Sequence, residues 1–112
     1  MLLSFELKMP NVGSWNGQWT GANKKYYIIK NVSKEDVERI QLEDGKKYFY
    51  YNFGDGWGAS VNVEVVNAKE ANIRRRHSCG FSTYEWMVSE IIKFGRIKTR
   101  DERIAEHTAQ SE

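Results

Sequence analysis

Lys46–Val66, KKYFYYNFGDGWGASVNVEVV, is the stretch whose reading decides the fold. Phe49, Tyr51 and Phe53 alternate with Tyr48, Tyr50 and Asn52. Beyond Gly54-Asp55-Gly56, Trp57, Ala59, Val61, Val63 and Val65 alternate with Gly58, Ser60, Asn62 and Glu64. Two period-two runs joined by a short Gly/Asp turn predict a β-hairpin. The flanking glycines supply the positive φ that such a turn needs. One face is aromatic and β-branched and is expected to bury itself. The other carries Tyr48 and Tyr50 opposite small and polar residues.

Working outward, Leu3, Phe5, Leu7 and Met9 alternate with Ser4, Glu6 and Lys8, a half-buried strand ended by Pro10. Met9 also offers an alternative start. Gly13–Gly21, GSWNGQWTG, sets Trp15 and Trp19 in a glycine-rich loop. They read either as a lid folded on the core or as an aromatic contact surface. Lys24–Val32 reads as a second strand. Ser33 then caps a short helix ending near Leu42, with Asp36 at the third helical position and Val32 and Val37 as the hydrophobic staple. Asn67 with Glu70 opens a helix to about Arg76 or His77, and Ser82 with Glu85 opens another that Gly95 stops. On that last helix Tyr84, Met87, Val88, Ile91 and Phe94 share a face, and Trp86 falls opposite.

Arg96–Lys98 reads as a short extra strand. The predicted class is α+β, in the order β-β-α-β-β-α-α: an antiparallel sheet of three or four strands with helices packed on one face. Residues 1–98 form one domain, and 99–112 an acidic tail that is flexible or weakly helical.

The 112 residues, 40% hydrophobic and 29% charged, suit a single globular core. A chain of this length buries roughly 65% of its unfolded surface, enough to fold without staples. No run approaches the length of a membrane span, and Glu6 and Lys8 interrupt the apolar start, so neither a membrane segment nor a secretory signal is expected. One cysteine, Cys79, excludes an internal disulfide and fits a reducing, cytoplasmic setting. One thiol and two histidines, His77 and His107, leave no structural zinc site within one chain.

The net charge of +2 is unevenly spread. Through Val66 eight basic residues balance eight acidic ones; Asn67–Arg100 holds eight bases and three acids; the last twelve residues hold one base and four acids. The tail is therefore placed to neutralise the basic half in part.

Arg74-Arg75-Arg76-His77 is the sharpest charge feature. It reads as a solvated helix end, where cations oppose the macrodipole, or as a contact for anions or acidic proteins. Successive helical positions diverge, so the three arginines do not share a face. Tyr48 and Tyr50 form an aromatic platform on the second sheet face. Such a platform either stacks bases or lies under a helix or a second copy of the chain, which would make a homodimer. Trp86 reads as a staple over Phe81 or as an exposed anchor. Cys79 has no third group to orient a base, and Asp55 between glycines lacks the Lys-Ser/Thr of a phosphate loop and the spaced carboxylates of a calcium loop. No catalytic residue, cofactor or metal is expected.

Tyr51, Phe53, Gly54, Asp55 and Trp57 resemble the Y-x-Y-D-F-G-D-x-W pattern of the plasmid pRiA4b ORF-3-like family, found in mobile elements. Asn52 stands where that family has Asp, and its His after the Trp is missing. SWNGQWTG, YNFGDGWGASV and CGFSTYEWMVSEIIKFG together resemble short proteins of bacteriophages and gut bacterial mobile elements. That resemblance implies a small non-enzymatic binder of a host or phage protein, including an inhibitor of host defence. Contacts are expected at Trp15, Trp19, Tyr48, Tyr50, Arg74, Arg75, Arg76 and Trp86. A nucleic-acid-binding regulator and a nucleotide or small-ligand sponge are the alternatives.

Overall fold

The computed structural model describes residues 1–8, 25–54, 57–77 and 85–110. Four strands, β1 (Leu2–Lys8), β2 (Lys25–Asn31), β3 (Lys46–Gly54) and β4 (Trp57–Val65), form one antiparallel sheet in the order β2-β1-β4-β3. The helices are α1 (Lys34–Ile40), α2 (Ala68–His77), α3 (Glu85–Phe94) and α4 (Arg100–Gln110). The α+β class and the antiparallel four-stranded sheet are as the sequence predicts. Arg96–Lys98 is not a strand; it joins α3 to α4.

The pairing registers put alternate residues on opposite faces. Leu3, Phe5 and Leu7 sit against Val65, Val63 and Val61 on one side and against Lys30, Ile28 and Tyr26 on the other. Phe49 and Tyr51 pair with Val61 and Ala59. This apolar face meets Ile40 of α1 and Met87, Val88 and Ile91 of α3 in one core. Leu3, Phe5 and Leu7 are wholly buried, because β1 lies between two strands and beneath helices.

Local signals set the helix ends. Asp36 N–H donates to Ser33 Oγ at 3.3 Å, and Glu70 N–H donates to Asn67 Oδ1 at 2.8 Å, as the capping pattern requires. Asp44 and Gly45 both have positive φ, and Glu43 and Lys46 exchange two backbone bonds of 2.9 Å around them. That is the geometry of a two-residue hairpin turn. Gly95 ends α3 at φ 73°, its N–H donating to Ile91 O at 2.8 Å. Arg39 of α1 then donates to the α3 carbonyls of Ile92 and Lys93 at 3.4 and 2.8 Å, locking the two helices together.

Helices are not confined to one face. Whereas α1 and α3 cover the apolar side, α2 lies across the second face over β2 and β1, with Ala71 wholly buried. The reason is polar. Arg74 reaches down to Ser4 and Glu64, which alternate with the core residues of their strands. The sheet thus has one largely covered face and one half-covered face.

Candidate binding surface

Arg74 holds the boundary between the two halves of that second face. Its Nε donates to Glu70 Oε1 at 3.1 Å, Nη1 to Ser4 Oγ at 3.0 Å and Nη2 to Glu64 Oε2 at 3.0 Å. Its guanidinium lies 5.6 Å from the Tyr27 ring centre. Burial disfavours the charge, but the bonds to Glu64 and Glu70 outweigh it and hold the Arg74 pKa above its ordinary value. Burial, and then the Glu6 carboxylate to which it is hydrogen-bonded, pushes the Tyr27 phenol up. Asn62 Nδ2 donates to the same carboxylate at 3.3 Å. The side chain that seemed available to an outside anion is instead a clamp fixing α2 to the sheet.

Beyond Arg74, among the described residues, no helix covers β4 and β3. Tyr48 and Tyr50 stand there 61% and 58% exposed. Neither is under a helix of the described chain, so the covered-platform reading fails for an intramolecular lid drawn from those residues. A Cβ on Gly58 would strike the Tyr50 hydroxyl group, so the end of that phenol lies across the glycine of the neighbouring strand. Glycine at position 58 is what lets the ring lie down on the sheet, and the ring in turn covers the glycine, which is buried. A cleft of ≈ 520 Å³ runs from Tyr48 to Arg74, with Glu6, Glu43, Glu64, Lys46, Lys47 and Asn62 on its walls. Three carboxylates and three cations share it, so it carries little net charge.

The remaining expected contacts are scattered. Arg75 and Arg76 are exposed and point away from Arg74, with Arg75 Nη1 bonded to Asn72 Oδ1 at 3.2 Å. Trp15, Trp19, Phe81 and Cys79 lie outside the described residues. Trp86 is half-buried: its ring meets Tyr51 edge-on at 5.5 Å and 81°, and the Arg103 guanidinium of α4 stacks on it at 3.7 Å. The helical wheel placed Trp86 away from the core and did not include α4, which supplies the cover. Phe94 shows the converse; it is 40% exposed and is met by Lys93 and Lys98 at 5.3 and 4.9 Å.

The tail does neutralise part of the basic half. Arg96 forms a two-pronged pair with Glu102 at 3.0 and 2.9 Å, and Lys98 meets Glu106 at 2.6 Å; in the opposite sense, the tail's own Arg103 meets Glu90 at 2.7 Å. The Arg96 hydrogen bond holds the Glu102 carboxyl below its ordinary pKa, and Lys98 does the same to Glu106. Among the described residues, no group of three or more His, Cys, Asp or Glu side chains is arranged to hold a metal ion. No helix among them is long and apolar enough to cross a membrane.

Compared with protein-family models, with curated proteins and with solved structures, the chain matches none.

Proposed function

We propose that this chain is a non-enzymatic binding protein that acts by occupying a surface of a partner protein. The observation that carries the reading is the pair Tyr48 and Tyr50, exposed side by side on the half of the sheet that α2 leaves open. Tyrosines on a rigid strand bring large contact area at small entropic cost, and such rings are enriched at interface hot spots. Beside Tyr48 the cleft mixes Glu6, Glu43 and Glu64 with Lys46, Lys47 and Arg74, a pattern suited to the mixed charges of a protein surface. A polyanion is the poorer fit. Arg74 is bound to Glu64 and Glu70, and Arg96, Lys98 and Arg103 each face a glutamate.

The resemblance to phage and mobile-element proteins makes a bacterial host protein, above all a defence component, the partner to seek first. The test is affinity purification from phage-infected cells with the native chain and with a Tyr48→Ala/Tyr50→Ala variant. One stoichiometric protein, retained by the native chain and lost by the folded variant, is the expected result. Recovery of nuclease-sensitive material alone, released steeply as salt rises, would overturn it in favour of a nucleic-acid-binding regulator.

A further inference from the structure

We propose that two copies of this chain pair through β3, edge to edge and antiparallel, so that the tyrosine surface is shared between them. β3 closes one side of the sheet order β2-β1-β4-β3. Its backbone groups alternate between the neighbouring strand and the outside. Gly45 O accepts from Val65 N–H at 2.9 Å, so Gly45 and then Lys47, Phe49 and Tyr51 turn toward β4. Lys46, Tyr48 and Tyr50 turn outward. Lys46 is already paired with Glu43, whereas no backbone partner meets Tyr48 or Tyr50 among the described residues.

An edge of this kind invites a further strand unless charge, proline or a bulge blunts it. Tyr48-Phe49-Tyr50-Tyr51 has neither charge nor proline, and the register shift of the strand, between Asn52 and Gly54, lies beyond it. The opposite edge, β2, has an equally uncharged run, Tyr26-Tyr27-Ile28-Ile29, but it is flanked by α2. The stretch is also complementary to itself. With Phe49 on a two-fold axis, Tyr48 of each copy falls opposite Tyr50 of the other. Their outward N–H and C=O groups then exchange about four hydrogen bonds. Lys46 and Lys47 sit at one end of β3, so an antiparallel partner carries its lysines to the far end, whereas a parallel one would bring like charges together. Side chains on the same face stay on the same face across such an axis. Four tyrosines, two from each copy, would therefore form one continuous strip at the centre of the joint sheet. This pairing is independent of the partner protein proposed above.

The test uses the isolated full chain, with no partner present. Sedimentation from micromolar to millimolar concentration is expected to show the mass rising to twice the 13.1 kDa of one chain. Amide exchange read alongside should show Tyr48 and Tyr50 gaining protection in step with the dimer, with Phe49 and Tyr51 protected throughout. A Tyr48→Lys/Tyr50→Lys variant sets lysine opposite lysine twice and should remain at the single-chain mass. A constant 13.1 kDa across the range would overturn the proposal and leave a foreign strand as the candidate occupant. A dimer that leaves the Tyr48 and Tyr50 amides unprotected would overturn it too, as would protection of those amides in the dilute monomer. If the lysine variant fails to fold, the exchange pattern of the native chain decides.

Discussion

At the scale of single residues, Gly58 and Arg74 set much of the second sheet face. Gly58 lies beneath the end of Tyr50, and a Cβ there would also come within 2.6 Å of the Tyr51 carbonyl oxygen. Gly58→Ala should therefore destabilise the protein by about 1–3 kcal/mol, as expected for overpacking, and lift the Tyr50 ring from the sheet. Denaturant unfolding reads the first effect, and the ring-current shifts around β4 read the second. Arg74 is a stronger case, since its removal strands Glu64 and Ser4 beside a buried strand. Arg74→Met should cost about 2–4 kcal/mol, because one side of a partly buried polar cluster is lost. Arg75→Met, at an exposed position, should change stability by no more than about 0.5 kcal/mol. Equal effects of the two substitutions would show that Arg74 does not clamp α2.

At the scale of elements, α4 is held differently from the rest. Its ties are the Glu102–Arg96, Glu106–Lys98 and Arg103–Glu90 pairs and the stacking of Arg103 on Trp86. Glu102 and Glu106 both titrate below their ordinary 4.5. A depressed carboxylate pKa contributes stability that is complete above the unfolded value and is lost as the pH falls through the folded one. Below pH 4.5 the attachment of α4 should therefore weaken before the sheet does, and added salt should weaken it at neutral pH. Amide exchange in 100–110, followed against pH and salt beside that of β1, checks this. Loss of protection in both segments at the same pH would refute it. Arg103→Ala should leave the sheet intact and expose the Trp86 indole, visible as a shift of its side-chain N–H resonance.

At the scale of the whole molecule, the central position of β1 has the largest consequence. A chain begun at Met9 would lack Leu3, Phe5 and Leu7, all wholly buried, and would leave β2 and β4 without the strand between them. Removing three large core side chains costs several kcal/mol each, together about as much as the total stability of a domain this size, before the lost strand pairing is counted. Such a truncated chain should give no cooperative unfolding transition and no strand signal in circular dichroism. A cooperative transition near that of the full chain would mean that β1 is dispensable.

Much of the fold is legible in the sequence. Alternation in 46–66 specified both the hairpin and which of its faces is apolar, because side chains on a strand leave it on alternate sides. Ser33 and Asn67 marked helix starts because the groups that cap a helix lie within a few residues of one another. The wheel of α3 identified Met87, Val88 and Ile91 as core for the same reason of fixed local geometry. Partners far apart in sequence were a different matter. Nothing in the run Arg74-Arg75-Arg76 says that the first side chain alone meets Ser4, seventy residues away, and so draws α2 onto the second face. Nor does the pattern around Trp86 anticipate Arg103. Local spacing determined the elements and their apolar faces, since those follow from backbone periodicity. Which surfaces stay open, Tyr48 and Tyr50 above all, was decided only when distant charges and rings met across the assembled sheet.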